Sequence, residues 1–160
     1  MSKSVFAAAC LGITLLATGC IPGTIGFPVA AVVPRASPEE DALAKAYQTN
    51  PSKAGIYIYR NEGRNVAYKA PVLLDNVWVG DTVSKTYIFR QVDAGTHVIA
   101  SQTENEATLS LDVKAGNNYF VWQELKGGPF AFPRGSQLNL VDEATGKAGV
   151  AECDLVQSPD

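Results

Sequence analysis

The stretch THVIASQTENEATLSLDV, residues 96–113, decides the fold. Its second half, ATLSLDV (107–113), sets Leu109, Leu111 and Val113 at every other position, with Ser110 and Asp112 between them. Side chains along a strand point alternately to opposite faces, so this pattern is a strand with one face buried and one face wet. The first half, THVIASQT (96–103), reads as its neighbour, and the polar Glu104-Asn105-Glu106 between them reads as a turn.

The same period of two extends in both directions. Towards the N-terminus lie AGIYIYR (54–60), APVLLD (70–75), NVWVG (76–80) and VSKTYIFRQV (83–92), the last stopped by Asp93-Ala94-Gly95. Towards the C-terminus, Lys114 to Asn118 is a turn, and YFVWQELK (119–126) and SQLNLVD (136–142) are further strands. Seven or eight short strands at this spacing predict a mainly β domain, an antiparallel β-sandwich of immunoglobulin-like or transthyretin-like type.

A short helix is expected on either side of the strands. Ser37-Pro38-Glu39-Glu40 carries a capping serine, a first-turn proline and a glutamate three residues after the cap. Ala42, Leu43, Ala46 and Tyr47 follow at helical spacing to about Gln48, and Asn50-Pro51 ends the run. At the other end Asp142 caps a short helix or helical turn with Ala144, Ala148, Ala151 and Leu155 on one face. Gly146 and Gly149 within it each weaken that helix by about 1 kcal/mol relative to alanine.

The N-terminus has a different character. Lys3 is followed by the apolar run VFAAACLGITLL (5–16), too short to span a bilayer, which takes roughly 20 residues, but suited to the core of an export signal. Leu16-Ala17-Thr18-Gly19-Cys20 then resembles the lipobox of bacterial lipoproteins. That resemblance implies cleavage between Gly19 and Cys20, a diacylglycerol on the Cys20 thiol, and acylation of the new amino terminus with fatty acids such as palmitate. More than one acyl chain gives stable attachment, each buried methylene contributing about 0.8 kcal/mol. Ile21, rather than an aspartate, follows the cysteine. By resemblance to enterobacterial sorting rules this favours the outer membrane, with the domain facing the periplasm. The expected organisation is a signal peptide over 1–19, a lipidated tether and short helix over 20–52, and the β-sandwich over 53–156. The tether IPGTIGFPVAAVVPRA (21–36) is apolar but broken by Pro22, Pro28 and Pro34.

Charge and cysteine content narrow the function classes. The chain of 160 residues has 13 basic and 16 acidic side chains, net −3. Lys3 is the only charge before Cys20, which leaves 12 basic and 16 acidic residues after processing. A nucleic-acid partner would call for a basic face and is not expected. Cys10 falls in the export signal and Cys20 at the lipid site, so Cys153 has no partner for a disulfide and reads as a small buried apolar residue.

Chemistry is sparse. His97 is the only histidine, so a hydrolytic triad would have to use it as its base. One histidine and one domain cysteine are too few for a zinc site. Asp75, Asp81 and Asp93 fall at expected turns, where aspartate has backbone-bonding reasons to be. No catalytic set, metal or cofactor is expected. Tyr57, Tyr59, Tyr87, Tyr119, Trp78 and Trp122 fall mostly on strands, so both sheet faces are apolar in places. One face makes the core, and the other is expected to lie under the N-terminal helix or the C-terminal segment. The loop GGPFAFPRG (127–135) is the candidate binding surface, with Phe130, Phe132 and Arg134 held between stiffening prolines. The competing account has this loop plugging one end of the sandwich.

The pieces KAGIYIYR, VLLDNVWVGD, VDAGTHVI, LDVKAGNNYFV and LVDEATGKAGVAEC, in that order, resemble a family of small bacterial lipoprotein domains catalogued as domain of unknown function 2846. The centre is similar, more weakly, to PEGA-type β-domains. There a D-G turn, a later glycine and a P-G-x-H turn frame a hairpin, where this chain has Asp75-Asn76, Gly80 and Ala94-Gly95-Thr96-His97. The resemblance implies a sandwich and an envelope location, not a mechanism. The leading functional expectation is therefore a membrane-anchored envelope lipoprotein with a non-enzymatic binding or structural role, its partner an envelope protein or a glycan. A glycan- or peptide-binding module using an aromatic face comes second, and an envelope hydrolase third.

Overall fold

A computed structural model describes residues 33–63, 68–127 and 133–159, without the side chains of 133 and 134. In chain order it runs α1 (Pro38–Lys45), β1 (Ala54–Arg60), β2 (Ala70–Leu74), β3 (Val77–Thr82), β4 (Thr86–Val92), β5 (Gly95–Gln102), β6 (Glu106–Val113), β7 (Asn118–Gly127), β8 (Pro133–Val141), α2 (Glu143–Ala151) and β9 (Asp154–Leu155). The stretch 96–113 forms most of β5 and β6, paired antiparallel with Ile99 opposite Leu109 and His97 opposite Leu111.

The strands make a two-sheet sandwich. One sheet has the order β8-β7-β1-β4-β9 and the other β3-β2-β5-β6. The second sheet is antiparallel throughout. The first is mixed: β1 runs antiparallel to β4 but parallel to β7, and β4 runs parallel to β9. Antiparallel neighbours are the rule where a short turn joins them, whereas β1 and β7 meet only after the chain has built the whole second sheet. Between the sheets, Ile56, Ile58, Ile88, Val121 and Leu138 pack against Val72, Leu74, Ile99, Leu111 and Val113.

β1 is buried on both faces, which explains why AGIYIYR carries no polar alternation. Its outward residues Tyr57 and Tyr59 join Tyr87, Phe120, Val150 and Cys153 in a second apolar layer, roofed by α1 and α2. The phenol tips need partners once buried, and the helices supply them. Tyr57 donates to the Ala44 carbonyl at 2.8 Å, Tyr87 to the Asp41 carboxylate at 2.9 Å, and Tyr47 to the Lys147 carbonyl at 3.2 Å.

Both helices form where the sequence puts them, but each presents a different face from the expected one. The capping box of α1 is complete, with Ser37 accepting from the Glu40 amide and Glu40 accepting from the Ser37 amide. Yet Leu43 is 75% exposed, and Ala44 is the buried residue. In α2, Ala144, Ala148 and Ala151 are exposed, while Gly146, Gly149 and Val150 are buried. A Cβ on Gly146 would lie 2.2 Å from Phe120 Cβ, and one on Gly149 2.2 Å from Tyr59 Cε2. The glycines that weaken an isolated helix are the surface by which this one rests on the aromatic layer.

The loop expected over 127–135 is shorter than that. Gly127 closes β7 and residues 133–135 belong to β8, with a register shift between Lys126 and Gly127. Pro133 is tolerated because β8 is the edge of its sheet. Asp81, expected at a turn, lies within β3.

Candidate functional site

The β2–β3 hairpin builds one wall of a candidate site. Its two-residue turn has Asp75 at φ 53° and Asn76 at φ 64°, the left-handed pair of a tight hairpin turn that matches strand twist. A register shift between Val72 and Leu73 sets Val72 opposite Gly80 and Leu73 opposite Trp78. Trp78 therefore shares the outer face with Leu73, while Val79 joins the core. Neither helix is among the neighbours of that face in the described residues, and Trp78 remains 50% exposed. Its indole Nε1–H donates to Asp81 Oδ1 at 2.9 Å, which restrains the orientation of the ring. The other oxygen of Asp81 lies 3.9 Å from Lys69 Nζ, close enough for attraction and too far for a hydrogen bond.

A strap forms the opposite wall. Arg35 bridges Val156, with the Ala36 amide donating to the Leu155 carbonyl at 2.9 Å and the Gln157 amide to the Pro34 carbonyl at 3.0 Å. This buries Val33 and Val156 in the core. Between the strap and β3 runs a groove of about 320 Å³, lined by Val33, Pro34, Lys69, Trp78 and Asp81 among others. That volume falls at the lower end of small-ligand sites, which run from about 300 to 1,000 Å³. A second groove of about 350 Å³ lies between α1 and β4, beside Leu43 and Phe89.

His97 sits at the end of the sandwich where the β2–β3 and β4–β5 turns meet. Nδ1 lies 2.6 Å from Asp75 Oδ2 and Nε2 lies 3.0 Å from the Asp93 carbonyl oxygen. Both partners are acceptors, so a ring protonated on both nitrogens satisfies them together. The hydrogen bond to Asp75 holds the imidazole pKa above its usual value, and the same bond with the Val98 amide holds the Asp75 carboxyl below its own. Asp93 also pairs with Lys53 at 2.7 Å. This arrangement clasps two turns together and leaves neither ring nitrogen as a base.

Cys153 is buried, with Sγ 3.3 Å from the Gly149 carbonyl oxygen, and burial pushes its thiol up to about 12. No group of three or more metal-ligating side chains occurs among the described residues. Phe130 and Phe132 lie outside the described residues; Arg134 falls on β8 with its side chain outside them. The expected signal segment, Gly19, Cys20 and the tether to residue 32 also lie outside them. No helix among the described residues is long and apolar enough to cross a membrane.

The sequence reading missed a polar interior at the end of the sandwich where the β1–β2 and β5–β6 connections lie. The amide of Gln123, fully buried on β7, lies 2.5 Å from the Thr82 hydroxyl and donates to Ser101 at 2.7 Å. Asn105 accepts from the Ser136 amide at 2.7 Å and donates to its carbonyl at 3.3 Å, joining the β5–β6 turn to the edge of β8. Gln123 at an inward position between Val121 and Leu125 was the available signal.

The family model described as Protein of unknown function (DUF2846) matches residues 50–136. An uncharacterized protein of Haemophilus influenzae is 31% identical, over 98% of this chain and 88% of its own length. No solved structure matches the chain.

Proposed function

We propose, from the premise that this chain belongs to the DUF2846 family of proteins of unknown function, that it is a lipid-anchored envelope lipoprotein whose domain binds an envelope component and does not transform it. The observation that carries the reading is the short length of chain between the expected anchor and the groove. Val33, thirteen residues after Cys20, lines the groove beside Trp78. Thirteen residues span at most about 45 Å, so a lipid on Cys20 holds this face within that distance of its membrane. Binding without turnover is supported by His97 and Cys153, the side chains best suited to acid–base or nucleophilic work. The first has both ring nitrogens engaged, and the second is buried with a raised pKa. Ile21 after the cysteine supports the outer membrane, with the domain in the periplasm.

The test is Cys20→Ser, with fatty-acid labelling and membrane fractionation. The expected result is loss of label and an unprocessed or released chain. Normal processing and unchanged membrane retention of the variant reject the anchor.

A further inference from the structure

Among the aromatic side chains singled out on the strands, Trp78 is set apart. Tyr57, Tyr59 and Tyr87 lie beneath the two helices with their ring faces covered. Trp78 stands half-exposed on the sheet without helices, at the wall of an open groove. The half of the ring left in water contributes nothing to the fold, and its hydrogen bond to Asp81 restrains the orientation of the indole. A restrained, flat, apolar plate beside a concavity is a stacking surface with less entropy to lose on binding than a free one.

The polar rim defines what stacks there. Lys69 Nζ and Asp81 Oδ2 are 3.9 Å apart. A hydroxyl group is both donor and acceptor, so one placed between them gives its proton to the carboxylate and takes a hydrogen bond from the ammonium. One positive and one negative group at the rim select a ligand without net charge, in a chain whose own net charge is only −3. A flat ring with an apolar C–H face and hydroxyls around its edge meets all of these requirements. We propose that the Trp78 groove is a saccharide-binding site, which takes a neutral pyranose ring against the indole with a ring hydroxyl bridging Lys69 and Asp81. This deepens the binding reading above and names its ligand class.

The experiment uses the full chain in a detergent without sugar head groups, titrated with cellotriose and with tri-N-acetylchitotriose while tryptophan emission is followed. A pull-down with peptidoglycan sacculi runs in parallel, to separate a free saccharide from one held in the wall. Saturable emission changes are expected with at least one sugar. Trp78→Ala, which lacks the reporting ring and is therefore read by titration calorimetry beside the parent chain, weakens binding at least about tenfold, and Lys69→Gln and Asp81→Asn each weaken it several-fold, with circular dichroism unchanged. Because Lys69 is exposed, Lys69→Gln keeps the test valid if Trp78→Ala fails to fold. Equal binding by Lys69→Gln and the parent chain overturns the site, as does silence towards both sugars and sacculi. Binding of a wall-derived peptide with no response to sugars also overturns it. Membrane fractionation of Cys20→Ser tests the anchor separately, so either idea can fail alone.

Discussion

Replacing Gly146 with alanine sets two effects of opposite sign against each other, and the structure says which one wins. In an exposed helix the change stabilises by about 1 kcal/mol, because alanine loses less backbone freedom. In α2 the new Cβ would lie 2.2 Å from both Cβ and Cγ of Phe120. Carbon atoms in contact sit about 3.5–4.0 Å apart, so more than an ångström has to open. Phe120 Cβ is fixed to β7, which pairs with β1 on one side and β8 on the other, so the ring root cannot withdraw. The helix must lift instead, and it is held by the Asp142 cap and by the Tyr47 bond to Lys147. Overpacking costs about 1–3 kcal/mol where neighbours yield, and here they yield poorly. A net loss of about 2 kcal/mol is expected, a fall in Tm of roughly 8 °C for a domain of this size. Thermal melts and urea titrations of Gly146→Ala read it directly. Ala148→Gly, on the exposed side of the same helix, is the control and loses only about 1 kcal/mol. A rise in Tm for Gly146→Ala would show that α2 does not rest on Phe120, and would refute the account of how the aromatic layer is roofed.

Three further outcomes follow from the same packing. Leu43→Ser should change stability by less than about 0.5 kcal/mol, because Leu43 faces water; a larger loss in urea titration would return it to the core. Cys153 should stay unmodified by thiol reagents at pH 8 in the folded chain and react on denaturation, whereas rapid labelling of native protein would contradict its burial. The folded pKa of His97 is raised above 6.5, so its clasp contributes fully below pH 6.5 and fades as pH rises through the folded value. The stability gap between the parent chain and His97→Asn should therefore be widest near pH 6 and close in alkaline buffer, and a gap that widens with pH would show the sign to be wrong.

The strands were legible because each carries its own period and is bounded by turn residues: eight of the nine strands among the described residues were read from the sequence within a few residues of where they lie. Partners far apart in the chain were not legible. Alternation assigns a face to each side chain but says nothing of neighbours, so β1 beside β7, running parallel, had no local signature. β9 escaped because two residues are too few to show a period. The helix faces failed for a different reason. Gly146 and Gly149 count as weaknesses when a helix is judged alone, and as contacts once aromatic rings lie 2.2 Å from where their side chains would be. Propensity is a property of the segment, and close approach is a property of the pair.

The candidate site shows the same division between what a segment knows and what its neighbours decide. Val77-Trp78-Val79 is an unbroken apolar run, and period two cannot say which of its residues turns outward. Two backbone facts settle it: the left-handed pair Asp75-Asn76, and the register shift after Val72 that leaves Trp78 opposite Leu73. Which aromatics then remain open depends on the roof. The helix α1 supplies acceptors to the phenols beneath it, the Ala44 carbonyl to Tyr57 and the Asp41 carboxylate to Tyr87, so these two tyrosines of the first sheet are covered and satisfied together. The second sheet has no such roof among the described residues, and its tryptophan bonds instead to an aspartate three residues along its own strand. That bond satisfies the indole without burying it. The ring that stays open is the one whose polar atom found its partner locally, because only such a ring needs no second layer above it.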